Sequence, residues 1–197
     1  MRHRLKKVSD AILLVCLLLL CGAASGYSPA TQTNNSPADS ALNLIRLQRY
    51  NDAINRLEQI LETRPAEPEA LTYLATAQMY LDKDFLKAQK SFEEAFRAGG
   101  GATFFVSHSH EKIGGNDLVD YCRGWLHLRK SGVRFVPSEG GHGFEQSYSS
   151  IGEIQRNRFA KTLFHIKYAE KNQNFRGRTG DESEALLVVA LFKKFAR

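Results

Sequence analysis

Histidine is the residue type best placed to do chemistry in this chain. His108 and His110 stand two apart and so share a face of any strand, while His127, His142 and His165 fall in or beside other strand-like segments. His108, His110 and His127 brought together would hold a zinc ion with an open position, and Glu111 or Glu145 would serve as base. The simpler reading is that a histidine on a half-buried strand is a packed side chain with one polar edge. On that reading the chain is not an enzyme, needs no cofactor and has no small-molecule substrate. No Gly-rich phosphate loop, nucleophile elbow or zinc-protease helix motif occurs, and Gly99 to Gly101 lacks the Lys-Ser/Thr that holds a nucleotide.

Cysteine offers a second candidate. Cys16 and Cys21 lie in the leader described below, so the exported chain would keep Cys122 and form no internal disulfide. Cys122 sits in an alternating apolar segment and reads as a buried structural thiol rather than a nucleophile.

The leader is the clearest address. Arg2 to Lys7 is basic, Ala11 to Ala24 apolar, and Gly22 to Gly26 small, the order of a secretory signal. The apolar run spans roughly 21 Å against a hydrocarbon core of about 30 Å, which favours a signal peptide over a stable anchor in residues 11–24. Lipidation at Cys21 is the weaker alternative, because Leu20 stands where a small residue is usual. The expected location is therefore the periplasm or cell envelope. Residues 27–37 are polar and uncharged and read as a tether.

Net charge at pH 7 is +6 over 197 residues, and half of it belongs to the first ten. That balance does not suit a nucleic-acid binder. The charge is also uneven: residues 38–98 hold 8 basic and 10 acidic side chains, residues 103–197 hold 15 and 10.

Residues 38–98 contain a repeat. Tyr50, Ala53, Leu57 and Ile60 recur as Phe85, Ala88, Phe92 and Ala95 at an offset of 35, each set on one helix face. Ala41 and Leu44 match Thr76 and Met79 at the same offset, so each unit is a helix pair and four helices are expected. With Pro65 closing the first unit, the pattern resembles a tetratricopeptide repeat, although Ala41 and Thr76 replace its usual Gly. The resemblance implies a partner groove lined by Leu42, Ile45, Tyr73, Ala77 and Tyr80. Two units are too few to cover their own apolar face. The downstream residues, a second copy or a partner must lie against it.

Residues 99–102 read as a glycine linker, after which the hydrophobic period becomes two. Strands are expected at 103–108, 119–129, 133–136, 143–148, 163–168 and 174–178, with 151–158 a strand or helical turn. Asp181, with Glu184 three positions on, reads as a capping box opening an amphipathic helix. The fold class is therefore α+β, a helical pair followed by a six- to seven-stranded antiparallel barrel or sandwich capped by a C-terminal helix over residues 103–197. This order of elements resembles a pleckstrin-homology domain. Its usual basic cluster is missing, since Lys112 is the one basic residue between Ser109 and Leu118. Anionic surfaces would instead meet Arg156, Arg158, Lys161, Lys171, Arg176 and Arg178.

The function these features support is a non-catalytic exported adaptor. A protein partner would take the repeat groove, with the sheet edge or basic face as a further contact and weak membrane-surface contact as an accessory. The alternatives are a histidine-metal enzyme and a self-assembling envelope protein.

Overall fold

The computed structural model describes residues 36–109, 121–169 and 171–197. The leader, most of the tether, His110, Glu111 and Lys112 lie outside the described residues. Four N-terminal helices form, with boundaries set by local chemistry. Helix α1 (Pro37–Arg46) starts at Ser36, whose hydroxyl accepts from the Ala38 amide while the Asp39 carboxylate accepts from the Ser36 amide. This reciprocal cap satisfies amides that have no partner in the first turn. Helix α2 (Tyr50–Thr63) buries Ala53, Leu57 and Ile60, the stripe read from the spacing. Helix α3 (Pro68–Asp82) opens on a proline suited to the first turn and stops where Lys83 turns left-handed at φ 54°. Helix α4 (Phe85–Arg97) is capped by the Asp84 carboxylate on the Lys87 amide and buries Ala88, Phe92 and Ala95.

Seven antiparallel strands follow: β1 (Gly101–Ser109), β2 (Tyr121–Arg129), β3 (Gly132–Pro137), β4 (Phe144–Gln146), β5 (Ile151–Arg156), β6 (Leu163–Tyr168) and β7 (Lys171–Gly177). They form one sheet in the order β4-β3-β2-β1-β7-β6-β5. The sheet curls, because Phe135 of β3 reaches Phe175 of β7 at 5.5 Å, and Phe144 of β4 reaches Tyr168 of β6 at 5.0 Å. Its inner core is Phe104, Leu126, Leu128, Val133, Phe135, Phe164, Ile166 and Phe175. The expected antiparallel sheet and C-terminal helix are present; the sheet is open, with β4 and β5 as its edges, joined through a single 3-10 turn at Tyr148–Ser150. Residues 151–158, left open between strand and turn, supply β5.

Helix α5 (Glu182–Phe195) closes the chain, stacking Phe195 on Phe96 of α4 at 3.8 Å and setting Phe192 edge-on to Tyr148. Asp181 caps it through the Ser183 amide at 2.7 Å. Glu184 does not complete a capping box. It turns inward, fully buried, and accepts from the Thr179 amide and hydroxyl at 2.8 and 2.6 Å and from Tyr80 at 3.2 Å. Burial pushes its carboxyl above the ordinary range, against the pull of those donors.

Helices and sheet belong to one unit, Asn35–Arg197, and the joint between them has a simple geometry. Strand β7 pairs with β1 over Val106–Ser109, leaving the Gly101–Phe105 stretch to find partners elsewhere on that side. Thr72, Thr76 and Tyr80 supply them: Thr72 Oγ1 accepts from the Gly101 amide, Thr76 Oγ1 donates to the Thr103 carbonyl, and Tyr80 Oη accepts from the Phe105 amide. Four helical residues rise about 6 Å and two strand residues about 6.6 Å, so hydroxyls at i, i+4 and i+8 meet alternate strand residues. The glycine run makes this approach sterically possible. A Cβ on Gly100 would stand 2.4 Å from both the Pro68 carbonyl oxygen and Thr72 Oγ1.

The joint corrects the expected groove. Ile45, Tyr73, Ala77 and Tyr80 are buried inside the chain, and Leu42 is half-buried beside a shallow cleft that also holds Trp125. The downstream sheet, one of the three bodies able to cover the apolar face, helps to cover it. Residues 99–102 are correspondingly a close contact rather than a loose linker, since β1 begins at Gly101.

Candidate functional site

The outer face of the sheet gathers arginines by register. Arg123 of β2 stands opposite Ser107 of β1, which stands opposite Arg176 of β7, so two cations flank one serine on one face. Arg178 follows two residues later. Its guanidinium donates to the Ile45 and Arg46 carbonyls, both at 2.9 Å, and lies 4.9 Å from the Phe105 ring centroid. A cation on the last carbonyls of α1 complements the helix dipole and brings that helix end to the sheet. Arg46, Arg123 and Arg178 then line a cleft of about 660 Å3 with Gln48, Ser138 and Glu139 on its wall. Planar guanidiniums from separate elements suit a carboxylate or another flat oxyanion.

The six basic residues expected to make one surface divide. Arg178 lines the cleft with Arg123 and Arg46, and Arg176 stands across Ser107 from Arg123 on the same face. Arg156 pairs with Glu182 of α5, and Lys161 lies 4.0 Å from the same carboxylate. Arg158 and Lys171 are exposed, the former beside Phe159, which is 97% exposed. Arg46 and Arg123 were missed because neither belongs to a charge run. The signal that would have found Arg123 is its place in the alternation of β2, opposite Cys122, once the β1 register is known.

The histidines separate as well. His127 shares a face with Thr103, bonds its hydroxyl through Nδ1 at 3.0 Å and is buried; burial, reinforced by Arg129 and Arg134, depresses its pKa to about 3. His108 lies five residues along β1 from Thr103 and therefore on the other face, between the Phe135 and Phe175 rings. Two ligands on opposite faces of one sheet cannot share an ion, which removes the metal set His108, His110 and His127. Among the described residues no three His, Cys, Asp or Glu side chains are grouped to hold a metal. His108 instead meets Cys122, its direct partner on β2, with Sγ 3.6 Å from Nδ1, and Gln173 of β7, with Oε1 2.7 Å from Nε2.

No family model matches the chain, and no curated protein matches it. Among solved structures it is similar to the N-terminal PH domain of the human ARAP2 protein, at 10% identity over 48% of this chain and 76% of that one, with a TM-score of 0.37. It is similar also to the C-terminal domain of an unknown protein from Leishmania infantum, at 14% identity over 48% and 82%, with a TM-score of 0.34. TM-scores this low carry no argument about shared ancestry or function.

Proposed function

We propose that this chain is a non-catalytic exported adaptor that receives an acidic segment of a partner protein in the arginine-lined cleft. The observation that supports this reading is the convergence of Arg46, Arg123 and Arg178 from a helix end, a strand and the segment after β7, with Arg176 beside them. Clefts that focus one sign of charge attract the opposite sign and fix its orientation through bidentate bonds. The proposal keeps the protein partner of the sequence reading and moves its surface, since the helical groove is filled from within. Titration with a fluorescent acidic peptide tests it. Binding should weaken about tenfold or more in R123E and fall with added salt, while an uncharged peptide of equal length should not bind. Equal binding of both peptides would refute the cleft as the recognition surface.

A second reading is supported by one exposed aromatic side chain. Asn157 Oδ1 accepts from the Phe159 and Ala160 amides, which orders a turn that presents Phe159 between Arg158 and Lys161. An apolar tip with cationic flanks suits contact with an anionic lipid surface. Co-sedimentation with phosphatidylglycerol vesicles should drop in F159D and stay intact in R123E.

A further inference from the structure

We infer that the acidic segment received by the arginine cleft carries an apolar side chain two residues from its carboxylate, and that Leu42 and Trp125 are the residues that select it. The inference rests on the cleft reading above and adds a spacing rule to it. A second, shallower cleft holds Leu42 and Trp125 and shares Arg46, Ser138 and Glu139 with the first, so the two form one furrow. Helix α1 makes one wall, and β2 with the segment after β3 makes the other. Arg46 and Arg123 line the first part of the furrow, Leu42 and Trp125 the second.

The two walls keep nearly the same interval. On α1, Leu42 precedes Arg46 by four residues, a rise of about 6 Å. On β2, Trp125 follows Arg123 by two residues, about 6.6 Å, and the two share the outer face, opposite Phe105 and Ser107. An extended peptide sets alternate side chains about 6.6 Å apart on one side. A carboxylate at one position and an apolar side chain two residues on therefore meet the cation pair and the apolar pair together. At three residues the second side chain points away.

Internal bonds hold that interval before any partner arrives. Arg178 ties the Ile45 and Arg46 carbonyls to the sheet and lies over the Phe105 ring, which meets Trp125 edge-on at 5.0 Å. Trp125 is 8% exposed and Leu42 is half-buried, so binding has little side-chain freedom left to remove. Charge then grades the furrow. Arg46, Arg123 and Arg178 outnumber Glu139 in the first cleft, whereas Asp39, three residues before Leu42, places a carboxylate in the second. A segment with acids on both sides of its apolar residue is disfavoured by that carboxylate.

The test is fluorescence anisotropy of the full chain with labelled synthetic peptides of one composition: two glutamates separated by one serine, and one leucine, among glycines and serines. Only the place of the leucine differs. Leucine two residues from the nearer glutamate should bind about tenfold more tightly than leucine three or four residues away, and a further glutamate beyond the leucine should weaken it. L42Q should erase the spacing preference and bind a leucine-free glutamate peptide as the native chain does, whereas R123E should weaken every glutamate peptide alike. Equal affinity at all spacings, with R123E still weakening binding, overturns the spacing rule and leaves the cleft reading standing. No binding of any glutamate peptide overturns both. A chain that dimerises alone, with L42Q and R123E each restoring the monomer, would show that a second copy fills the furrow, which also overturns the inference. Should L42Q fail to fold, the peptide series on the native chain still decides.

Discussion

Glu184 and Cys122 each stand against a glycine, and the two neighbourhoods differ in how much room is left. At the junction, a Cβ on Gly177 would fall 2.4 Å from the Glu184 carboxylate, whose oxygens are occupied by Tyr80 and by the Thr179 amide and hydroxyl. Beside the cleft, a Cβ on Gly141 would lie 3.3 Å from Cys122 Cβ, at the edge of ordinary contact. The first group is enclosed and answered by partners from two segments of the chain. The second is a half-buried thiol with His108 Nδ1 3.6 Å from its sulfur, at the wall of the cleft. A buried polar group whose bonds are met internally holds the fold in one arrangement, whereas one that keeps a path to solvent is available for reaction.

The largest effect expected from the enclosed class is on acid stability. The folded pKa of His127 is about 3, against 6.5 for the free side chain, so its contribution is complete above 6.5 and is lost as pH falls toward 3. Each unit of that depression is worth about 1.4 kcal/mol, and H127Q should flatten the acid limb of a pH–stability curve measured by denaturant titration. Glu184 acts with the opposite sign. Its carboxyl is raised, so its contribution is complete below the ordinary carboxylate range and declines as pH rises through it. E184Q should remove that decline. A variant curve parallel to the native one would break the assignment in either case.

Next in size is G177A, which forces the carboxylate out of its socket; a loss of about 2–3 kcal/mol is expected from thermal melts. Y80F should follow with about 1–2 kcal/mol, because it strips the Phe105 amide and the Glu184 carboxylate of a shared partner. Both variants sharpen the contrast if, well below their melting points, Cys122 reacts at the native rate. A slowed thiol in Y80F would show that the two regions are coupled.

Local periodicity reached far in this chain. The stripes of α2 and α4, the alternation of β2 and the C-terminal helix were all visible as residue spacing, because each element states its own period. Associations between elements were not. Tyr73 and Tyr80 carry the spacing of a groove lining, and nothing local tells a helix face that meets a partner from one that meets its own sheet. The Thr72–Thr76–Tyr80 ladder needs β1 at its side to become legible, since hydroxyls four apart on a helix are otherwise unremarkable. Glu184 followed the rule for a capping box and broke it, because Thr179 and Tyr80 offered it donors inside. Cys122 and His108 are 14 residues apart and became neighbours through strand register, which no spacing rule reports.

The smallest expected stability effect falls at the open end of the comparison. Gly141 has φ of +127°, a conformation that side chains rarely adopt, so G141A should cost about 1 kcal/mol. Its value lies in the second readout. The added methyl comes within contact distance of the Cys122 sulfur, 3.5 Å away. If disulfides reach the thiol past Gly141, thiol release from dithiodipyridine should slow several-fold in G141A. An unchanged rate would mean that disulfides approach from another side of β2.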